Sequence, residues 1–153
     1  MNNDKSIWKL ALEILGRRAH GDYELRQKLY RKDYAASEID EVMNRLLTYG
    51  YVNDNKLANF LFVKYLQVGK YSLNQIVSKL KQRGLPDDII KNVTSSYDSE
   101  EEQSSALKLI TNRFKSFDGI NKEKVYRFLG TRGFGVGTIH KVCQQIYDDI
   151  DID

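Results

Sequence analysis

Apolar residues recur along this chain at helical spacing. Ile39, Val42, Met43, Leu46 and Leu47 fall at i, i+3, i+4, i+7 and i+8. Ile139, Val142, Cys143, Ile146 and Tyr147 repeat that stripe, and Ile90, Val93 and Tyr97 form a thinner version between them. A second helix precedes each stripe, marked by Leu25 and Leu29, then Ile76 and Leu80, then Val125 and Leu129. The steps between these pairs are 51 and 49 residues and hold across both helices. A period near 50 is the mark of a tandem array of helical units.

Each unit also has an opening helix, predicted at 7–17, 55–67 and 100–117, with Ala11, Ala58 and Ala106 on the apolar faces. The fold class is therefore all-α: three tandem three-helix repeats with helix-turn-helix-like corners, over 7–50, 51–98 and 99–150. The segment LANFLFVKYL alternates poorly and reads as a buried helix rather than a strand.

The breaks carry their own chemistry. Gly84 and Gly133 suit the left-handed residue that ends a helix, and Gly50 ends the first stripe. Asp33 takes the corresponding place in the first unit, a poorer choice. Pro86 suits the first turn of the next helix, with Asp87 and Asp88 favouring its positive end. Ser72-x-x-Gln75 and Ser99-x-x-Glu102 read as capping boxes.

Charge changes the picture. The net charge is +3, but eight of the 21 acidic residues lie in DSEEE (98–102) and DDIDID (148–153). The rest holds 24 basic residues against 13 acidic ones, a segregation that suits a polyanionic partner. One cysteine excludes an internal disulfide and fits a reducing compartment. The N-terminus is a poor secretion signal and no apolar run suffices to cross a bilayer, so a cytoplasmic protein is expected.

Catalytic chemistry finds little support. His20 and His140 lie far apart in the repeat frame and read as surface or capping residues, and Cys143 reads as a core filler. Gly133-Phe-Gly-Val-Gly137 follows a helix, not a strand, so it reads as a corner rather than a phosphate loop. Helix capping accounts for the acidic pairs, so no metal site, catalytic residue or cofactor is expected. Tyr34, Leu85 and Phe134 share a corner position, whereas Tyr30, Tyr71 and Tyr126 are free to stack on bases.

Lys32, Arg83 and Arg132 are equivalent in the three units, at the last turn of each second helix. Cations stabilise helix C-termini by about 0.3–1 kcal/mol each, which alone explains the position. Lys28, Arg31, Lys79, Lys81 and Arg127 crowd the same helices and favour a binding face as well.

The motif EL-x-x-KL-x-x-K (Glu24–Lys32), GYVND (Gly50–Asp54), KLKQRGL (Lys79–Leu85) and RGF (Arg132–Phe134) together resemble the RecX family over residues 7 to 147. Asp33 in place of glycine and Leu57-Ala58 in place of a Phe-Ala pair depart from its pattern. The resemblance implies a curved, elongated array of three-helix repeats that is not an enzyme. It also implies a regulator that binds RecA filaments on single-stranded DNA and inhibits RecA ATPase, strand exchange and co-protease activity. Binding of single-stranded and double-stranded DNA with weak sequence preference belongs to the same implication, and a monomer is expected.

Two other readings stay open. One is an independent DNA-binding regulator, although the third helices SEIDEVMNRL and PDDIIKNV carry acids where base-reading groups belong. The other is a protein-interaction solenoid with no nucleic-acid role.

Overall fold

The structure is a computed structural model that describes residues 3–148. Met1, Asn2 and the acidic run after Asp148, with the expected end of the third repeat at 150, lie outside the described residues. Among those described are nine helices and no strand. They are α1 (Asn3–Arg17), α2 (Asp22–Tyr30), α3 (Ala36–Thr48), α4 (Asp54–Val68), α5 (Leu73–Gln82), α6 (Asp87–Thr94), α7 (Ser99–Arg113), α8 (Lys122–Gly130) and α9 (Val136–Asp148). In chain order they form three helical triplets at the spacing of the apolar pattern.

The helices belong to two compact units. One comprises the chain through Leu61 with Leu80–Val93, and the other Phe62–Lys79 with the chain from Thr94. The middle segment, 51–98, thus contributes to both. The first core gathers Ile7, Ala11, Leu25, Leu29, Ile39, Val42, Met43 and Leu46. The second gathers Ala106, Ile110, Val125, Leu129, Ile139, Val142 and Cys143 with Phe114 and Phe134.

Three expectations from the apolar pattern change. Leu47 is 39% exposed, so the α3 stripe is narrower than its sequence suggests. The expected buried helix in LANFLFVKYL is α4, but only part of it is buried: Phe60 and Val63 face solvent beside buried Leu57, Ala58, Leu61 and Phe62. The helix expected to reach Phe117 stops at Arg113, because Phe114 turns extended (φ −113°, ψ 109°) and sends its ring into the second core.

Helix ends follow local chemistry. After α3, Tyr51 N donates to Leu46 O and Gly50 N to Leu47 O, with Gly50 at φ +76°. After α5, Leu85 N donates to Leu80 O and Gly84 N to Lys81 O; after α8, Phe134 N donates to Leu129 O and Gly133 N to Gly130 O. All three close the last carbonyls with a left-handed residue. Asp33 takes the same conformation at φ +65°. Ser72 and Gln75 form the expected reciprocal cap, each backbone N–H donating to the other's side chain at 3.1 Å. Ser99 and Glu102 do not. Asp98 caps α7 by accepting from Glu101 N at 2.8 Å, and Glu102 turns elsewhere. Pro86 sits just before α6 rather than in its first turn, its carbonyl accepting from Ile90 N.

Glu102 completes a helix of the preceding repeat, accepting from Leu73 N at the start of α5 at 3.2 Å and from the Thr138 hydroxyl at 3.0 Å. One repeat earlier, Asp54 accepts from Asp22 N at the start of α2 at 3.0 Å. A carboxylate of each following repeat therefore satisfies an orphan N–H of the repeat before it. This explains Gly21 as the residue before α2: a Cβ there would lie 2.7 Å from Asp54 Oδ1. The glycine corners seat against the same helix starts. A Cβ on Gly84 would lie 2.6 Å from Tyr23 Cδ1, and one on Gly133 would lie 3.1 Å from both Ser72 Oγ and Asn74 Cβ. Ser72 Oγ donates to Arg132 O at 2.8 Å and Asn74 Nδ2 to Gly133 O at 2.9 Å. Asp33 is exposed, so its side chain has room that Gly84 and Gly133 lack.

His20 is not a surface residue but 3% exposed. Its Nδ1–H donates to Arg18 O at 3.0 Å, and its Nε2 accepts a hydrogen bond from the Lys28 ammonium at 2.7 Å. An ammonium has no acceptor, so this pairing fixes the tautomer. Burial lowers the imidazole pKa below 6.5, and the charges of Arg18 and Lys28 add to that.

Gly84→Ala is expected to destabilise the protein by roughly 1–3 kcal/mol through its left-handed backbone and the crowding of Tyr23. Gly16→Ala, in open space, is expected to stabilise it by about 0.5–1 kcal/mol. Urea unfolding distinguishes the two directions. Because the folded pKa of His20 is depressed, its neutral form supports stability above pH 6.5 and that support is lost as pH falls through the folded value. The unfolding midpoint should therefore drop on acidification from neutral pH, and drop less in His20→Asn. Glu24, held below its ordinary 4.5, enters only at lower pH.

Candidate nucleic-acid interface

Helix α2 carries its cations toward its C-terminus, Lys28 within it and Arg31 and Lys32 just after it. Against them α1 ends in Arg17, followed by Arg18. Leu10, Ile14 and Glu13 of α1 complete a cleft of about 600 Å³. Five basic side chains and one carboxylate line it, with His20 in its wall. Such a concentration of one sign in a concave surface raises the local potential toward anions.

Not every cation there is free. Arg18 makes a two-point ion pair with Glu24 at 3.0 and 3.1 Å. Lys28 is committed to His20. Arg31 and Lys32 are exposed, as is Arg17. These three are the side chains best placed to meet a phosphate.

The equivalent cations of the three repeats share a helix position but not a chemistry. Lys32 is exposed. Arg83 spends its guanidinium on Glu24, with Nε at 3.2 Å from Oε2, and on Ala19 O at 3.0 Å. Burial raises the Glu24 carboxyl, but the hydrogen bonds and charges of Arg83 and Arg18 outweigh it and hold the group below its usual range. Arg132 lies over the Phe128 ring at 3.6 Å and donates to Phe128 O at 3.0 Å. Of the others, Lys79 sits over Tyr71 at 4.7 Å, while Lys81 and Arg127 are exposed. The structure thus brings Lys28, Arg31 and Lys32 together and gives Arg83, Arg132 and Lys79 intramolecular partners.

Among the tyrosines free to stack, Tyr30 is exposed. Tyr71 packs edge-on against Tyr65, and the Tyr126 hydroxyl meets His140 Nδ1 at 3.2 Å. The pattern missed Tyr51 and Phe60, which face a common groove of about 260 Å³. Their signal was Phe60 standing off the apolar face of α4.

One cleft of the second unit has a mainly acidic lining. Asp98, Glu100 and Glu101 line a cleft of about 710 Å³ with Lys108 as its one basic wall residue. Burial pushes the Cys143 thiol up, opposed by Lys122, as suits a core residue. Among the described residues no His, Cys, Asp and Glu cluster is placed to hold a metal ion, and no helix is long and apolar enough to cross a membrane.

The family description "RecX, first three-helix domain" matches residues 8–46. A regulatory protein RecX of Chlorobium phaeobacteroides is 32% identical over 149 residues, covering 95% of this chain and 96% of its own. One of Deinococcus radiodurans is 33% identical over 144 residues, covering 93% of this chain and 69% of its own. The crystal structure of RecX from Lactobacillus salivarius has the same fold, with a TM-score of 0.83 at 21% identity over 95% of this chain and 98% of that one. With matched identity along almost its whole length and the same helical architecture, this chain belongs to the RecX family of regulatory proteins.

Proposed function

We propose that this chain binds RecA filaments assembled on single-stranded DNA and inhibits RecA ATP hydrolysis, strand exchange and co-protease activity. Membership of the RecX family carries this reading, and the basic cleft between α1 and α2 supports it. The cations Arg17, Arg31 and Lys32, with Lys81 and Arg127 elsewhere, offer exposed charge to DNA phosphate or to acidic protein surface. A chain of repeated units engages neighbouring filament subunits together, and linked contacts bind far more tightly than separate ones. Such bridging hinders the subunit and DNA movements that turnover requires. No reacting group is needed.

Independent sequence-specific binding is less well supported. Helix α3 carries Glu38, Asp40 and Glu41, and α6 opens with Asp87 and Asp88, so these helices would bring carboxylates toward DNA.

In a RecA ATPase assay on single-stranded DNA, added protein should lower the rate at ratios well below one per RecA. Unchanged hydrolysis at saturating protein overturns the proposal. Arg31→Ala and Lys32→Ala together should weaken inhibition without loss of helicity, and lower the salt dependence of DNA binding by about 1 in log–log slope per cation lost. Arg83→Ala and Arg132→Ala are poorer probes, because they also remove contacts to Glu24 and Phe128 and should lower the unfolding midpoint.

A further inference from the structure

The basic cleft shares a wall with the aromatic groove, since His20 lines both. The groove lies between the segment after α3 and the first turns of α4. Its rings are Tyr51 and Phe60, 59% and 63% exposed. Ala19 and Gly50 leave room between them, because neither carries a side chain beyond a methyl, and Lys56 stands in the same lining. Tyr51 packs against Tyr49 in a tilted ring contact at 6.1 Å, and Tyr49 edge-on against Trp8 at 6.3 Å.

Exposed aromatic side chains scattered singly need no explanation. These two face one concavity, and that concavity shares His20 with the cleft that five cations and one carboxylate line. We propose that the two concavities form one site for single-stranded nucleic acid: the groove takes a base against Tyr51 and Phe60, and the cleft takes the neighbouring phosphate on Arg17, Arg31 and Lys32.

The chemistry selects this occupant. An apolar peptide would satisfy the rings and leave the adjoining cations unmatched. A paired base presents only its edge, whereas an unstacked base offers its face to an aromatic wall. Selectivity among bases is expected to be weak, because rings supply stacking without a donor–acceptor code. Asn53, the nearby amide, already accepts from Lys56 N at 3.1 Å. The site deepens the filament reading above, yet its binding step needs no RecA.

The test compares a labelled oligo(dT) with an abasic oligonucleotide of equal length, by fluorescence anisotropy without RecA. Tyr51→Ala with Phe60→Ala should weaken oligo(dT) binding about 5- to 100-fold and leave abasic binding unchanged. Tyr51→Phe should retain affinity. Arg31→Ala with Lys32→Ala should weaken both probes. Circular dichroism and the unfolding midpoint check the fold of each variant. The site is overturned if the double aromatic variant binds oligo(dT) as the unaltered protein does, or loses both probes equally. It is also overturned if the unaltered protein does not prefer oligo(dT) over the abasic probe. Loss of RecA inhibition with oligo(dT) binding intact would assign the groove to protein and overturn it too. Ring-dependent oligo(dT) binding without any RecA inhibition sinks the filament reading alone.

Discussion

The starts of α2 and α5 are completed by the repeat that follows. The first N–H of α2 donates to Asp54, and that of α5 to Glu102. Each of these helix starts also receives a glycine corner from the next repeat, Gly84 at Tyr23 and Gly133 at Ser72 and Asn74. Four orphan N–H groups at a helix start are costly to bury without partners. At α2 the side chain that meets the first of them comes from outside the triplet, and at α5 Glu102 adds to the triplet's own Ser72–Gln75 cap. The repeats are consequently interdependent, and the compact units draw on more than one triplet.

The same logic decides which cations remain available. Arg83 stands at a helix C-terminus where its charge is favourable in any case, and Glu24 then draws it into the fold. Arg18 joins the same carboxylate from the other side. What stays outside this network is Arg17, Arg31 and Lys32. Which cations stay exposed is therefore decided as much by the internal acids as by the bases.

What was legible in the sequence was local. The apolar stripes, the left-handed corners and the Ser72–Gln75 cap all depend on residues within a few positions of each other. Long-range pairings were not legible. Ser99-x-x-Glu102 has the spacing of a cap, yet Asp98 takes that role and Glu102 reaches Leu73 and Thr138. The histidine at 20 carries no periodic signal, so nothing in the pattern marks its burial between Arg18 and Lys28. The equivalence of Lys32, Arg83 and Arg132 was readable as register, but their partners lie in rings and carboxylates that register does not specify. Tyr51 and Phe60 were hidden for a related reason: an apolar-rich helix reads as buried until its face is fixed by neighbours.

The borrowed cap on α2 also sets where this polypeptide tolerates being cut. A fragment ending at Gly50 would contain every apolar side chain of the first triplet except Val52 from its core. It would nonetheless lack Asp54, and the glycine at position 21 has no side chain with which to replace it. Its middle helix would begin with a bare amide end. A hydrophobic cluster that looks self-sufficient thus depends on the next repeat for one helix cap, and the boundaries of the two compact units fall within helices rather than at the loops between them.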